Sequence, residues 1–317
     1  PRTVFSRTGI FIATPILIAV AILTGFLFIP QRKIETPSKR NFFSGSSSAL
    51  KLTVIPESPA ILQGQSLSET NTFITDEKAF YFFDHAKNAV ERFQLPDLVK
   101  NLLAGDFSLQ GANFYAVVEP NIAILAKNEL LAFDLATLGV EPLPQSFFKE
   151  QDFANFQGTL FTSWRDALYS LNTNDGEVYK FTITVYGLSS EKKWILPASQ
   201  KRPAGAVDFA IDGALYTLFP DGAIDVYHKG KYLKTITYTA EPPLVSADKI
   251  FTGERQSYIW ILERKNSRII ILTKDGVFMK QLYFPNIPDI KDIYATPDHM
   301  LYLLASDKLY SHKIAFE

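Results

Sequence analysis

The sequence predicts an all-β fold, a six-bladed β-propeller of four-stranded antiparallel blades, preceded by one transmembrane helix. Three observations carry this expectation. An apolar strand recurs six times at near-equal spacing. One copy, "DFAIDGALYTLFPDGAIDVYHKGKYLKTITY" at 208–238, spells out four strands joined by three tight turns. A long uncharged run stands near the N-terminus.

Composition sets the outer limits. At 317 residues and 47% hydrophobic content the chain can bury a large core. Its 26 Phe and 14 Tyr suit pleated, half-buried surfaces. Lys+Arg 32 against Asp+Glu 33 gives a net charge of -1. No positive surplus or basic stripe is available to displace counterions, so no nucleic-acid partner is expected. Cys is absent, which excludes disulfides, thiolate metal sites and cysteine nucleophiles. The chain opens on Pro1 without an initiator Met, so residues 1–8 are expected to be the stub of a longer or processed chain.

Residues 9–29, "GIFIATPILIAVAILTGFLFI", carry no charge. At about 1.5 Å per residue such a run spans roughly 30 Å, the thickness of a bilayer's hydrocarbon core. A buried core helix rarely lacks every charge over this length. A cleaved signal peptide has a shorter apolar stretch ending at small residues, whereas this run ends in "FLFIPQRK". An uncleaved single-span anchor is therefore expected, with Pro15 a place where the helix can kink. Arg2 and Arg7 precede it, and Arg32, Lys33, Lys39 and Arg40 follow it, a balance that by the positive-inside rule leaves the rest of the chain in the cytoplasm. Residues 30–49 mix charge, Pro and a Ser/Gly run without periodicity, as a flexible tether does.

The propeller is expected over 50–317. Within 208–238, Asp-Gly and Lys-Gly pairs punctuate the strands, because Gly takes positive φ at no steric cost. The apolar second strand recurs as "AFYFF" at 79, "NIAIL" at 121, "ALYSL" at 167, "ALYTL" at 214, "YIWIL" at 258 and "MLYLL" at 300. Successive starts lie 42, 46, 47, 44 and 42 residues apart, the period of a propeller blade. Each marker is followed by a turn and a third strand. Fourth strands are plain in the third to fifth repeats and indistinct in the first two. The sixth repeat stops after its third strand, and the unassigned strand 50–56, "LKLTVIP", is expected to close that blade from outside 308–315.

These repeats resemble the NHL-like and TolB-like six-bladed propellers. Over 205–313 the chain resembles more closely a group of bacterial proteins with a phosphatase-like domain, one membrane helix and a C-terminal propeller. The resemblance is carried by "VDFAIDGALYTLFPDGAIDVYHKGK", "KIFTGERQSYIWILERKNSRIIILTKDG" and "DIYATPDHMLYLLASDKLY". It implies a fold and brings no catalytic residue. It also implies an upstream signalling domain before Pro1 and a propeller outside the cytoplasm, against the charge count.

Chemistry is sparse. No HExxH, GxSxG, P-loop or GxGxxG is present, and His85, His228, His299 and His312 are scattered over turns and third strands, so neither zinc nor another cofactor is expected. The Asp-Gly pairs read as hairpin turns rather than calcium ligands. Sharper candidates come from geometry, because a blade's first strand lines the central channel. Asp208, Lys249 and Asp292 hold roughly equivalent first-strand positions in three successive repeats. They are the candidate ligand-binding cluster, with a solvated channel lining as the plain alternative. Trp164 with Arg165 and Asp166, near a turn, is a candidate aromatic platform for a sugar or peptide. Two functions follow: a membrane-anchored, non-catalytic binding or sensor module for a protein, peptide or glycan, or a metal-dependent lactonase or hydrolase working in the channel.

Overall fold

The computed structural model describes residues 52–316, apart from 57, 105–108, 111, 119–120, 127–128, 135–139, 143–158, 185–186 and 189–191. The stub 1–8, the expected membrane helix 9–29 and the tether 30–49 lie outside the described residues. Among the described residues no helix is long and apolar enough to cross a membrane.

The described strands form six sheets, each built on an antiparallel meander in chain order. All six apolar markers are second strands: Ala79–Asp84, Asn121–Ala126, Ala167–Asn172, Ala214–Leu218, Tyr258–Glu263 and Met300–Ala305. They are covered on both faces, which is why they read as continuous apolar runs instead of alternating ones. Ala79–Asp84 is buried at every position. The outer strands are less covered, as Lys231–Ile236 and Phe278–Tyr283 show with mostly exposed or half-buried positions.

Turn chemistry sets the hairpins. Asp212 Oδ1 accepts the Ala214 N–H at 3.1 Å, and Asp221 Oδ1 accepts that of Ala223 at 3.0 Å, in Asx turns around Gly213 and Gly222. Lys229 and Gly230 both take positive φ, 49° and 77°, as a type I′ hairpin requires. Gly230 also lies against the connection that follows the third sheet, where the Leu196 N–H donates to the Gly230 carbonyl at 2.9 Å.

The cores lie between sheets. Tyr169, Leu171 and Val178 of the third sheet share a cluster with Phe209, Leu215 and Tyr227 of the fourth. The fourth and fifth share Ile224 and Val226 with Ile259, Ile261 and Ile270. The fifth and sixth share Trp260, Leu262 and Ile269 with Ile293, Leu301 and Leu303. Phe80 and Phe82 of the first sheet pack with Tyr294, Tyr302 and Leu304 of the sixth. The last sheet thus meets the first, and the sheets are arranged radially as a β-propeller of four-stranded antiparallel blades. Each large side chain so buried contributes about 1.5–3 kcal/mol relative to exposure.

The closing strand differs from the sequence expectation. Leu52–Val54, the strand described within 50–56, does not complete the last sheet. Leu52–Val54 runs parallel to Phe278–Tyr283, with Leu52 opposite Gln281, as an extra outer strand of the fifth sheet. The sixth sheet is completed by Leu62–Gln63, antiparallel to Lys308–Lys313 with Leu62 opposite Leu309. Connection length and burial explain the choice. From Leu62–Gln63, residues 64–73 lead to the first inner strand, much as 237–248 and 284–289 join other sheets. Ile61 and Leu62 also pack on the Tyr302–Leu304 cluster, whereas Thr53 and Val54 stay exposed.

Two polar anchors hold connections between sheets. Lys291 Nζ donates to the carbonyls of Ser68 at 2.8 Å, Thr70 at 3.3 Å and Leu67 at 3.4 Å, at the end of the short helix Gln65–Glu69. The buried Arg268 donates through Nε to Glu263 Oε2 at 2.6 Å, and its other nitrogens reach the Pro242 and Pro243 carbonyls and Gln281. Glu263 Oε1 in turn accepts the Val245 N–H at 2.6 Å, so the connection 241–245 is tied to the fifth sheet.

Candidate functional site

The inner strands run side by side around a central cavity of about 500 Å³. Residues of all six sheets line it, from Glu69, Asn71 and His85 at the end where the inner strands begin to Thr75, Ser163 and Thr252 at the end where they finish. Its walls mix apolar side chains such as Leu160, Phe209 and Tyr294 with hydroxyls.

Register places the three charged candidates at one level. Asp208 lies opposite Leu218, Lys249 opposite Leu262 and Asp292 opposite Leu304, each the fifth residue of its marker. Leu160, opposite Leu171, holds the same position in the third sheet. The ring at this level is therefore charged on the side of the last three sheets and apolar at the third.

Each acid takes backbone N–H groups from the next sheet. Asp208 Oδ2 accepts the Ile250 N–H at 2.9 Å. Asp292 Oδ2 accepts both the Thr72 hydroxyl and the Phe73 N–H at 2.7 Å, and its Oδ1 accepts the Ile293 N–H at 2.9 Å. Thr72 thus belongs to the cluster although the sequence did not single it out. Its inner strand, Ile74–Thr75, is too short to show an alternating pattern.

Lys249 stands between the acids. Its Nζ lies 3.9 Å from Asp208 Oδ1 and, among the described residues, has no hydrogen-bond acceptor. Its side chain keeps 26% of its exposure, and the residue lines the cavity. Burial pushes the Asp208 carboxyl up to about 6, against the pull of Lys249 and of the Ile250 and Phe209 N–H groups, and Asp292 adds to the rise. For Lys249 the balance is opposite: the Asp208 carboxylate raises it more than burial lowers it. Under mild acid it is the carboxyl that becomes neutral, and the ammonium stays.

Trp164 and Arg165 do not join this cluster. They sit at the other end of the channel, where the Arg165 guanidinium covers the Trp164 ring at 4.6 Å and pairs with Glu254 at 2.5 Å. Gly213 packs against the same indole, with a Cβ there falling 3.5 Å from the ring. The ring face is occupied from within the chain and is not an open platform. Arg255, next to Glu254, pairs with Glu77 of the first sheet at 3.2 Å. The turn 252–257 thereby links to sheets on both sides at the end where the inner strands finish. The sequence held a signal for it, since "TGERQS" is the longest first turn among the last three repeats.

At the opposite end His85 is pinned. Its Nδ1 lies 3.1 Å from the Leu109 carbonyl, which can only accept, so Nδ1 is the donor and Nε2 accepts the Tyr115 hydroxyl at 2.9 Å. Tyr115 stacks on Phe83 at 3.8 Å. The ring is held as a wall of the mouth. Among the described residues no group of three or more His, Cys, Asp or Glu is placed to hold a metal ion.

No protein-family model matches the chain. A search of curated proteins finds no match either. Among solved structures the chain is similar to a streptogramin B lyase, with 14% identity over 76% of this chain and 93% of that one, at a TM-score of 0.49. It is similar to virginiamycin B lyase from Staphylococcus aureus, with 12% identity over 80% and 88% and a TM-score of 0.46. A luciferin-regenerating enzyme matches at 11% identity over 72% and 80%, with a TM-score of 0.44. Likenesses of this order bear on neither substrate nor site, and the reading of the site rests on its own geometry.

Proposed function

We propose that the chain is a membrane-anchored, non-catalytic propeller of six blades whose channel binds a ligand, serving as the sensor of a signalling domain upstream. One observation carries the reading. The Lys249 ammonium faces a cavity at the level of Asp208 and Asp292 with no hydrogen-bond acceptor among the described residues. A partly buried ammonium without a protein acceptor leaves its hydrogen bonds to whatever occupies the cavity. Support for six blades comes from the six sheets and the contact of the last with the first. Support for the anchor comes from the uncharged run 9–29, and the resemblance favours a propeller outside the cytoplasm.

A metal-dependent hydrolase fits these residues poorly. A divalent ion between Asp208 and Asp292 would meet the Lys249 ammonium, and Asp292 already accepts three hydrogen bonds. The test is a thermal-shift screen of the full chain against small metabolites, beside Lys249→Met. At least one compound should raise the melting temperature of the native chain and leave the variant unmoved. Hits that stabilise both equally, or no hits, refute the pocket. For the anchor, the full chain should resist alkaline extraction from membranes, and deletion of residues 9–29 should release it. A chain that extracts freely refutes that part.

A further inference from the structure

Asp208 Oδ1 and Lys249 Nζ are separated by 3.9 Å. That is too long for a direct hydrogen bond. It is short enough for one hydroxyl to donate to the carboxylate and accept from the ammonium, each over about 2.8 Å. Charged ligands meet opposition here. A phosphate or carboxylate drawn to Lys249 would face the carboxylates of Asp208 and Asp292. An amine would face the Lys249 ammonium, and would find Asp292 occupied by Thr72, Phe73 and Ile293.

Outside this level the one further acid in the lining is Glu69 at the mouth, and the deeper lining is neutral. Below the charged level the cavity is lined by Thr75, Thr162, Ser163 and Thr252 beside Tyr294, with Leu160 at the charged level itself and the Thr252 hydroxyl committed to the Tyr258 carbonyl at 3.0 Å. Hydroxyls and apolar faces together suit a ring compound that has an apolar face and a hydroxylated rim. Its volume of about 500 Å³ lies within the range of small-molecule sites.

We infer that the channel takes a neutral, multiply hydroxylated ring compound, a sugar or cyclitol, with one hydroxyl bridging Asp208 and Lys249. The inference rests on the pocket reading above and narrows it to a ligand class. The Trp164 ring, already paired with Arg165, takes no part.

The full chain is titrated by calorimetry with N-acetylglucosamine, glucose and myo-inositol, and with glucosamine, glucuronate and glucose 6-phosphate as charged counterparts. At least one neutral probe should bind, with its charged counterparts weaker by about tenfold or more. Lys249→Met should weaken the neutral probe by about tenfold. Leu160→Trp, which fills the cavity without touching a charge, should abolish binding and keeps the test readable if Lys249→Met does not fold. Charged probes that bind as tightly, or a neutral probe indifferent to both variants, overturn the inference. A charged probe bound through Lys249 leaves the pocket standing and removes the ligand class. If no probe binds and the metabolite screen also finds nothing, both fall.

Discussion

Asp208→Asn probes the cluster through stability, with no ligand required. In the native chain burial holds this carboxyl at about 6, against 3.8 for the ordinary group. The difference of about 2.2 units, at about 1.4 kcal/mol each, corresponds to about 3 kcal/mol. Its sign follows from proton counting. Between those two values the folded chain keeps the Asp208 proton while the unfolded chain releases it. Stability therefore falls as pH rises through the window and levels off above about 6. An Asn carries no such penalty. Its amide oxygen can still accept the Ile250 N–H, although its NH₂ then faces Lys249 and returns part of the gain. Urea unfolding of the full chain, followed by the fluorescence of Trp164, Trp194 and Trp260, would be measured from about pH 4 to about pH 8 for both proteins. The variant should gain on the native chain by up to about 3 kcal/mol between the two ends, nearly all of it between about pH 4 and about pH 6. A difference that does not change with pH would refute the account of Asp208 as a carboxyl destabilised by burial.

Three further substitutions test the frame around the site. Glu263→Ala leaves the buried Arg268 without its carboxylate and frees the Val245 N–H, and should cost about 3–5 kcal/mol in chemical denaturation. Lys291→Met removes the donor to the Leu67, Ser68 and Thr70 carbonyls, and should cost about 1–3 kcal/mol, with faster hydrogen exchange concentrated in residues 64–73. Gly230→Ala would place a Cβ 2.3 Å from the Trp194 carbonyl oxygen at a positive φ, and should cost more than about 2 kcal/mol in the same assay.

What was legible in the sequence depended on how many residues carried each signal. The second strands are five or six residues long and buried on both faces, so "ALYTL" and "YIWIL" announce themselves without help. The level shared by Asp208, Lys249 and Asp292 was legible too, because each stands at a similar distance before such a marker. Closure of the ring was not. It rests on two residues, Leu62–Gln63, too few for any period, while Leu52–Val54 from the more strand-like "LKLTVIP" lies on the neighbouring sheet. Thr72 escaped because its role depends on Ile74 pairing with Tyr81, a register that no local pattern reveals. Trp164 and Arg165 were visible as a pair, but their partner Glu254 is 89 residues away and only the fold brings it near.

The looseness of the Asp208–Lys249 pair gains weight from the pairs around it. Four other buried carboxylates among the described residues meet their cations in close contact. Asp84 meets Lys87 at 2.6 Å, Glu91 meets Lys100 at 2.6 Å, Asp225 meets Lys201 at 2.7 Å and Glu263 meets Arg268 at 2.6 Å. A buried ion pair recovers its desolvation only through such close, hydrogen-bonded geometry. Asp208 and Lys249 are comparably buried yet stand 3.9 Å apart, and the Asp208 carboxyl is raised in spite of the ammonium beside it. Both acids of the cluster already serve the frame by accepting N–H groups from the next sheet, a task that Asn could perform without charge. The Lys249 ammonium is the group in the cluster with no hydrogen-bond acceptor among the described residues, and an occupant that brings a hydroxyl would supply one.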